Sequence, residues 1–258
     1  MLIQNDDLEW RIRTFFDYWR QRHAFINNLD LSKHNHEANV LLWASLDALS
    51  NLWAKNIGEE QCNNKGIKKE NKRLIFDAFL AHYGDELFQI VSLPDLWSRI
   101  DRGDVVVDQN PVRKLPEDAC TFLGKIGGRL TPTQLDAKQT AQSRQISDDL
   151  RMDLIIAGTL EYCPTTNPKE LEKWLMFSRY GAIAYKKMRS AYIHEGRSGS
   201  GSHSYNLHGS PTKPTYRGMY TTPPVIGFSV EFMLHVLNEC ITAFESEARH
   251  LEKYPVPT

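Results

Sequence analysis

The stretch "SKHNHEANVLLWASLDALSNLWAKNIG", residues 32 to 58, limits the fold of this chain more than any other. At 3.6 residues per turn, Val40, Leu41, Ala44, Ala48 and Leu52 form one apolar face, and Leu42, Leu46, Leu49 and Trp53 extend it beyond a single stripe. A helix of that width cannot rest on a surface with half its circumference in water. It belongs at the centre of a helical bundle, or it is shared with a partner chain. Ser32 offers a cap at its start and Gly58 a stop at its end.

Other segments supply the cover. Residues 7 to 29 place Ile12, Phe15, Phe16, Trp19 and Ile26 at helical spacing. A helix is expected over 67–83, with Gly84 as its stop and a basic start, Lys65, Lys68, Lys69, Lys72 and Arg73, that reads as a solvated face. Near the C-terminus Met233, Val236, Leu237, Cys240, Ile241 and Phe244 line one helix face. "NPKELEKWLMFSRYGAIAYKKMRSAYIHEG", from Asn167 to Gly196, has an Asn cap, Pro in the first turn, early Glu170 and Glu172 and a closing Gly, and reads as one long helix. The expected fold class is therefore mainly α: a helical bundle in a single domain, 1–258. Residues 84–165, punctuated by prolines at 111, 116, 132 and 164, are expected as an insert of short helices, with a few extended residues at "DVVVD". Residues 196–225 are expected as a flexible loop or a small β-hairpin built from "HSYNL" and "TYRGMY".

Composition narrows function by exclusion. With 31 basic against 32 acidic residues the net charge is -1, so attraction to a polyanion must come from a local cluster. Cys62, Cys120, Cys163 and Cys240 are dispersed, with no C-x-x-C pair, and "MLIQNDDLEW" carries no secretory signal, which points to reduced thiols in a cytoplasm. No apolar run approaches the roughly 20 residues that span a bilayer, so no membrane crossing is expected. "GKIGGRL" at 124–130 is Gly-rich but lacks the setting of a phosphate-binding loop. No cofactor is expected.

The chemistry concentrates in "KKMRSAYIHEGR", 186 to 197. Arg189 offers a planar guanidinium fork that suits two phosphate oxygens, or the charge growing on them in a transition state. His194, in the last helical turn, is the side-chain type that exchanges protons near neutral pH. Together they match the needs of phosphodiester cleavage. Five residues on a regular helix put the two side chains about 140° apart, so they would not converge unaided. A helix loosened near Gly196, or a groove between two antiparallel copies of the chain, would bring both to one phosphate. The plainer reading is that both residues cap the helix end. Against it stands the following loop, which is too long for a mere connection and rich in Ser, His, Tyr and Lys.

"R-S-A-Y-I-H", Arg189 to His194, resembles the R-x(4-6)-H motif of the HEPN superfamily of prokaryotic helical ribonucleases. It ends a long helix, is followed by "EG", and "LLWASLDALSNLW" is similar to an early bundle helix of that superfamily; the likeness covers 30–58 and 167–250. It implies a homodimer with two motifs facing one cleft, and metal-independent RNA cleavage with Arg189 and His194 as the catalytic pair. Stress or phage-defence surroundings, with a toxin-like activity and an antitoxin or defence partner protein, follow from the same resemblance. Ser190 stands where many members have Asn, Asp or His, and keeps a polar supporting role; Glu195 is a further supporting candidate. A subgroup with tyrosine two places after the histidine has Gly196 here, so its regulation by modification does not carry over.

Asp47, on the central helix, is the candidate to orient Arg189 by a charge-assisted bond, with a solvated Asp as the alternative. Lys186, Lys187, Arg197 and Arg217 could hold an RNA backbone, and Tyr192, Tyr205, Tyr216 and Tyr220 could stack on bases, with packing of Tyr192 in the bundle an equal reading. "HNH" at 34–36 reads as surface or capping residues rather than a nuclease motif. His194, Glu195, His203 and His208 could gather a metal, but no H-E-x-x-H or nearby cysteine supports it, so none is expected. The rival to a nuclease is a catalytically inactive helical module that binds RNA or a protein.

Overall fold

The central helix opens two residues earlier than a cap at Ser32 would place it. Asp30 is the cap: its carboxylate accepts the Ser32 amide at 3.0 Å and the Ser32 hydroxyl at 2.6 Å, satisfying donors that the first turn leaves without intrahelical partners. A computed structural model describes residues 2–107, 114–129, 146–204, 214–217 and 225–256, apart from the side chains of 2–6 and 215–217. In chain order its helices are α1 (Leu2–Asn27), α2 (Leu31–Ala54), α3 (Glu59–Asn64), α4 (Lys72–Tyr83), α5 (Leu93–Asp101), α6 (Glu117–Leu123), α7 (Met152–Tyr162), α8 (Pro168–Met176), α9 (180–195) and α10 (Val230–His250). The fold is mainly α, as the periodicity requires.

α2 is central. Leu42, Trp43, Leu46, Leu49 and Trp53 are fully buried, packed by α1, α4, α9 and α10, while Val40, Leu41, Ala48 and Leu52 are half-buried. Phe16 of α1 meets Phe244 of α10 edge to face at 5.4 Å between ring centroids. Each fully buried Phe or Leu in this core contributes about 1.5–3 kcal/mol relative to exposure.

The insert has a smaller core of its own. Val91, Leu93, Leu96, Val107, Leu115, Leu123 and Ile155 cluster with Leu171, Trp174 and Leu175 of α8, so the apolar unit runs past residue 165. β1 (Ile90–Val91) pairs antiparallel with β2 (Leu150–Arg151), and Arg99 fastens the insert to the bundle side. Its guanidinium donates to the Trp174 carbonyl at 2.7 Å and the Ser178 hydroxyl at 3.0 Å, and lies 4.0 Å over the Trp174 ring.

The single long helix expected over 167–196 is two. Asn167 caps α8 as expected, accepting the Lys169 and Glu170 amides, but the chain breaks at 177–179 before α9 begins. Phe177 and Ala182 carbonyls are taken by Arg73, Nη2 to Phe177 at 2.6 Å and Nε to Ala182 at 2.9 Å, so this residue is a half-buried clamp rather than part of a solvated basic face. Arg179 turns inward onto Asp77 of α4, which also accepts the Ala182 amide at 3.2 Å. Gly181 permits the approach, because a Cβ there would stand 2.8 Å from an Asp77 carboxylate oxygen.

Beyond α9 lies a three-stranded sheet, not a lone hairpin. β3 (Ser202–His203) runs parallel to β5 (Val225–Gly227), and β4 (Thr215–Arg217) pairs antiparallel with β5. Thus His203 pairs with the strand after "TYRGMY" and not with that segment itself. Residues 205–207 and 218–220 of the two expected hairpin segments lie outside the described residues, as do prolines 111 and 132. No described helix is long and apolar enough to cross a membrane.

Candidate functional site

α9 is not a uniform helix. Tyr180–Ala184 and Ser190–Glu195 are α-helical, and between them Tyr185–Arg189 form a π turn in which the Ser190 amide donates to the Tyr185 carbonyl, five residues back. Such widened turns accommodate an extra residue and recur at functional sites. The helix stops at Gly196, whose φ of 68° is the left-handed conformation that glycine adopts without strain. The chain then folds back on the π turn: the Lys187 carbonyl accepts the Gly199 amide at 2.7 Å and the Ser202 hydroxyl at 3.1 Å.

Arg189 closes the π turn and faces α2. Its Nη2 donates to Asp47 Oδ2 at 2.7 Å, the two side chains being 16% and 18% exposed. The orienting contact expected from Asp47 is formed. The guanidinium lies 4.9 Å over the Tyr185 ring, whose hydroxyl is pushed to higher pKa chiefly by burial, with Arg189 opposing and Asp47 adding to the shift. Arg189 Nε and Asp47 Oδ1 are both buried without a hydrogen-bond partner among the described residues. Buried polar atoms are nearly always paired, so these two are exceptions, enclosed by the protein rather than presented to solvent.

His194 faces elsewhere. With Lys186, Lys187, Ser190 and Glu195 it lines an open cleft of about 400 Å³, whose opposite wall is Asp95 and Ser98 of α5 and its C-terminal residue Arg102. Burial lowers the pKa of Lys187, whose ammonium donates to the Gly201 carbonyl at 3.3 Å. Arg189 does not line this cleft, and no hydrogen bond or ring contact joins it to His194. Within one chain the pair diverges, as the roughly 140° of helix between them demands.

The remaining expectations divide. Tyr192 is buried and cannot stack on a base: its hydroxyl donates to Ser204 at 2.9 Å, and Ser204 donates to Asn35 at 3.2 Å. Arg197 is exposed and pairs with Glu195 at 3.6 Å. Tyr205, Tyr220 and His208 lie outside the described residues, as do the side chains of Tyr216 and Arg217. His203 is buried on β3, and no group of three His, Cys, Asp or Glu side chains among the described residues could hold one metal ion.

The "HNH" residues sit closer to the motif than surface capping implies. Asn35 receives Ser204 and is bonded by Asn39 Nδ2 at 3.0 Å, while the His36 ring lies against Gly196 and 6.1 Å from the Tyr192 ring. The start of α2 thereby braces the end of α9. A histidine or asparagine at a helix start carries no mark of that tertiary partner. The chain matches no family model, no curated protein and no solved structure.

Proposed function

We propose that this chain is a metal-independent endoribonuclease of the cytoplasm, acting as a homodimer in which Arg189 and His194 from two copies meet at one RNA phosphodiester. The observation that carries the reading is the Arg189–Asp47 pair: a guanidinium fixed through one nitrogen and still partly open to solvent keeps further N–H donors for a developing phosphorane charge. Because Arg189 and His194 of one chain point to different sides of α9, antiparallel pairing of two motif helices is what would bring one copy's imidazole to the other's guanidinium. One imidazole takes the ribose 2'-hydroxyl proton as that oxygen attacks phosphorus. The second protonates the departing 5'-oxygen, leaving a 2',3'-cyclic phosphate and a 5'-hydroxyl. DNA, without the 2'-hydroxyl, survives.

Ser190, on the cleft side, supplies a polar neighbour to the scissile group, and Glu195 with Arg197 borders the helix end. A stress or phage-defence role with a protein partner rests on the HEPN resemblance. The divergence of Arg189 and His194 within one chain favours the second reading, an inactive module that binds RNA or a protein. Incubation with total RNA in the presence of a chelator decides between them. The wild-type chain cleaves, and His194→Ala loses about 10²–10⁴ of the rate with its oligomeric state unchanged; cleavage retained by that variant removes the mechanism.

A further inference from the structure

The cleft beside His194 continues into a second cavity of about 250 Å³, and the two share Asp95, Arg102 and Lys186. These residues form a saddle between two chambers, one wall from the motif helix and the other from the insert. Of the three carboxylates along the groove two are paired with arginines, and the third, Asp95, bonds a neutral hydroxyl and is outnumbered by the cations that line the same cavities. Asp95 accepts the Ser178 hydroxyl at 2.9 Å, Asp104 pairs with Arg99 at 3.1 Å, and Glu195 pairs with Arg197. The cations at the saddle are less engaged. Arg102 bonds the neutral Ser98 hydroxyl at 3.0 Å, and neither it nor Lys186 pairs with a carboxylate among the described residues.

We infer that this saddle is a phosphate subsite of an RNA groove, in which Arg102 and Lys186 grip the backbone of a single strand one step away from the bond at His194. The inference rests on the nuclease reading for the identity of the polyanion, and it accounts for the insert, since α5 carries Arg102 to the strand. A chain of phosphates suits two joined chambers with a cationic ridge between them better than one small anion does. Arg73 and Arg99, which line the second chamber, are held by backbone carbonyls and by Asp104, and so contribute field rather than direct contacts.

The test is equilibrium binding of a fluorescein-labelled oligouridylate 12-mer to the full chain carrying His194→Ala, across a potassium chloride series. Adding Arg102→Gln and Lys186→Gln weakens binding roughly tenfold at low salt and flattens the log–log salt slope by about 1.4, the value for two phosphate contacts on a single strand. Arg102→Lys, which keeps the charge, restores about half of the lost slope in the Gln pair. Lys68→Gln with Lys72→Gln, exposed cations on the start of α4, is the control and leaves the slope unchanged. Equal losses in that control, an unchanged slope in the groove pair, or displacement of the RNA by a poly-glutamate peptide at equal concentration each overturns the subsite. Binding that follows Arg102 and Lys186 in a chain whose wild type cuts no RNA leaves the groove standing and removes the nuclease. Cleavage that depends on His194 but ignores the saddle does the reverse.

Discussion

Arg179, which caps the start of α9, and Arg189 within it stand ten residues apart, and each pairs with an aspartate, the two pairs being built to opposite ends. Arg179 and Asp77 are sealed, at 3% and 0% exposure; Nε donates to Oδ2 at 2.9 Å, and the second carboxylate oxygen takes the Ala182 amide at 3.2 Å. Arg189 and Asp47 share one bond, stand partly open, and leave Nε and Oδ1 unmatched. A buried charge pair with its lone pairs and protons filled fixes geometry: here it sets where α9 starts against α4. A pair held by one bond and only partly enclosed keeps its guanidinium and carboxylate within reach of solvent. The same two residue types thus seal a helix start in one place and stand partly open to solvent in the other.

Removal of a single partner should separate the two sharply. Asp77→Ala leaves Arg179 buried without a counter-charge and should cost about 3–5 kcal/mol in urea unfolding, whereas Asp77→Leu with Arg179→Met should be far milder than either single change. A double variant as unstable as the singles would mean that the sealed pair does more than hold position. Next in size, Gly181→Ala drives a methyl to within 2.8 Å of Asp77 and should lower stability by about 1–3 kcal/mol, without altering any RNA cleavage measured on the folded protein. Smallest is Asp47→Asn: thermal unfolding should register a loss of about 1 kcal/mol or less. If the open pair serves catalysis, RNA cleavage should fall about tenfold, since a charge-assisted bond becomes a neutral one. A large stability loss with unaltered cleavage would make Arg189–Asp47 a second clamp.

What could be read from residue order follows from what periodicity encodes. α1, α2, α4 and α10 were legible because a buried helix face must repeat every 3.6 residues, and the insert was legible as a region where that repeat fails. Asp47 was legible only as a carboxylate on the central helix, with a solvated Asp as the alternative, because its bond to Arg189 depends on α9 packing against α2. Arg73, Arg179 and Asp77 were not, since a cation near a helix start has the same local signature whether it meets water or a carbonyl from a segment 104 residues away. The break at 177–179 has neither proline nor glycine to announce it; its partners are Arg73, on the Phe177 carbonyl, and Asp77, on Arg179, both outside the local sequence. The π turn is likewise silent, because its residues are ordinary helix formers and its cause is tertiary.

That turn has a consequence for how the molecule can vary. An extra residue in a helix is a phase offset: everything after Arg189 is rotated by about 100° from where an unbroken α-helix would carry it. Excising one residue between Tyr185 and Arg189 would let the turn revert to α with everything after it left in phase, whereas straightening the turn with all its residues kept would swing the imidazole around the barrel of the helix. The direction in which α9 presents its last turn is therefore set by a count of one, and it holds only while the surplus residue stays stored in that turn.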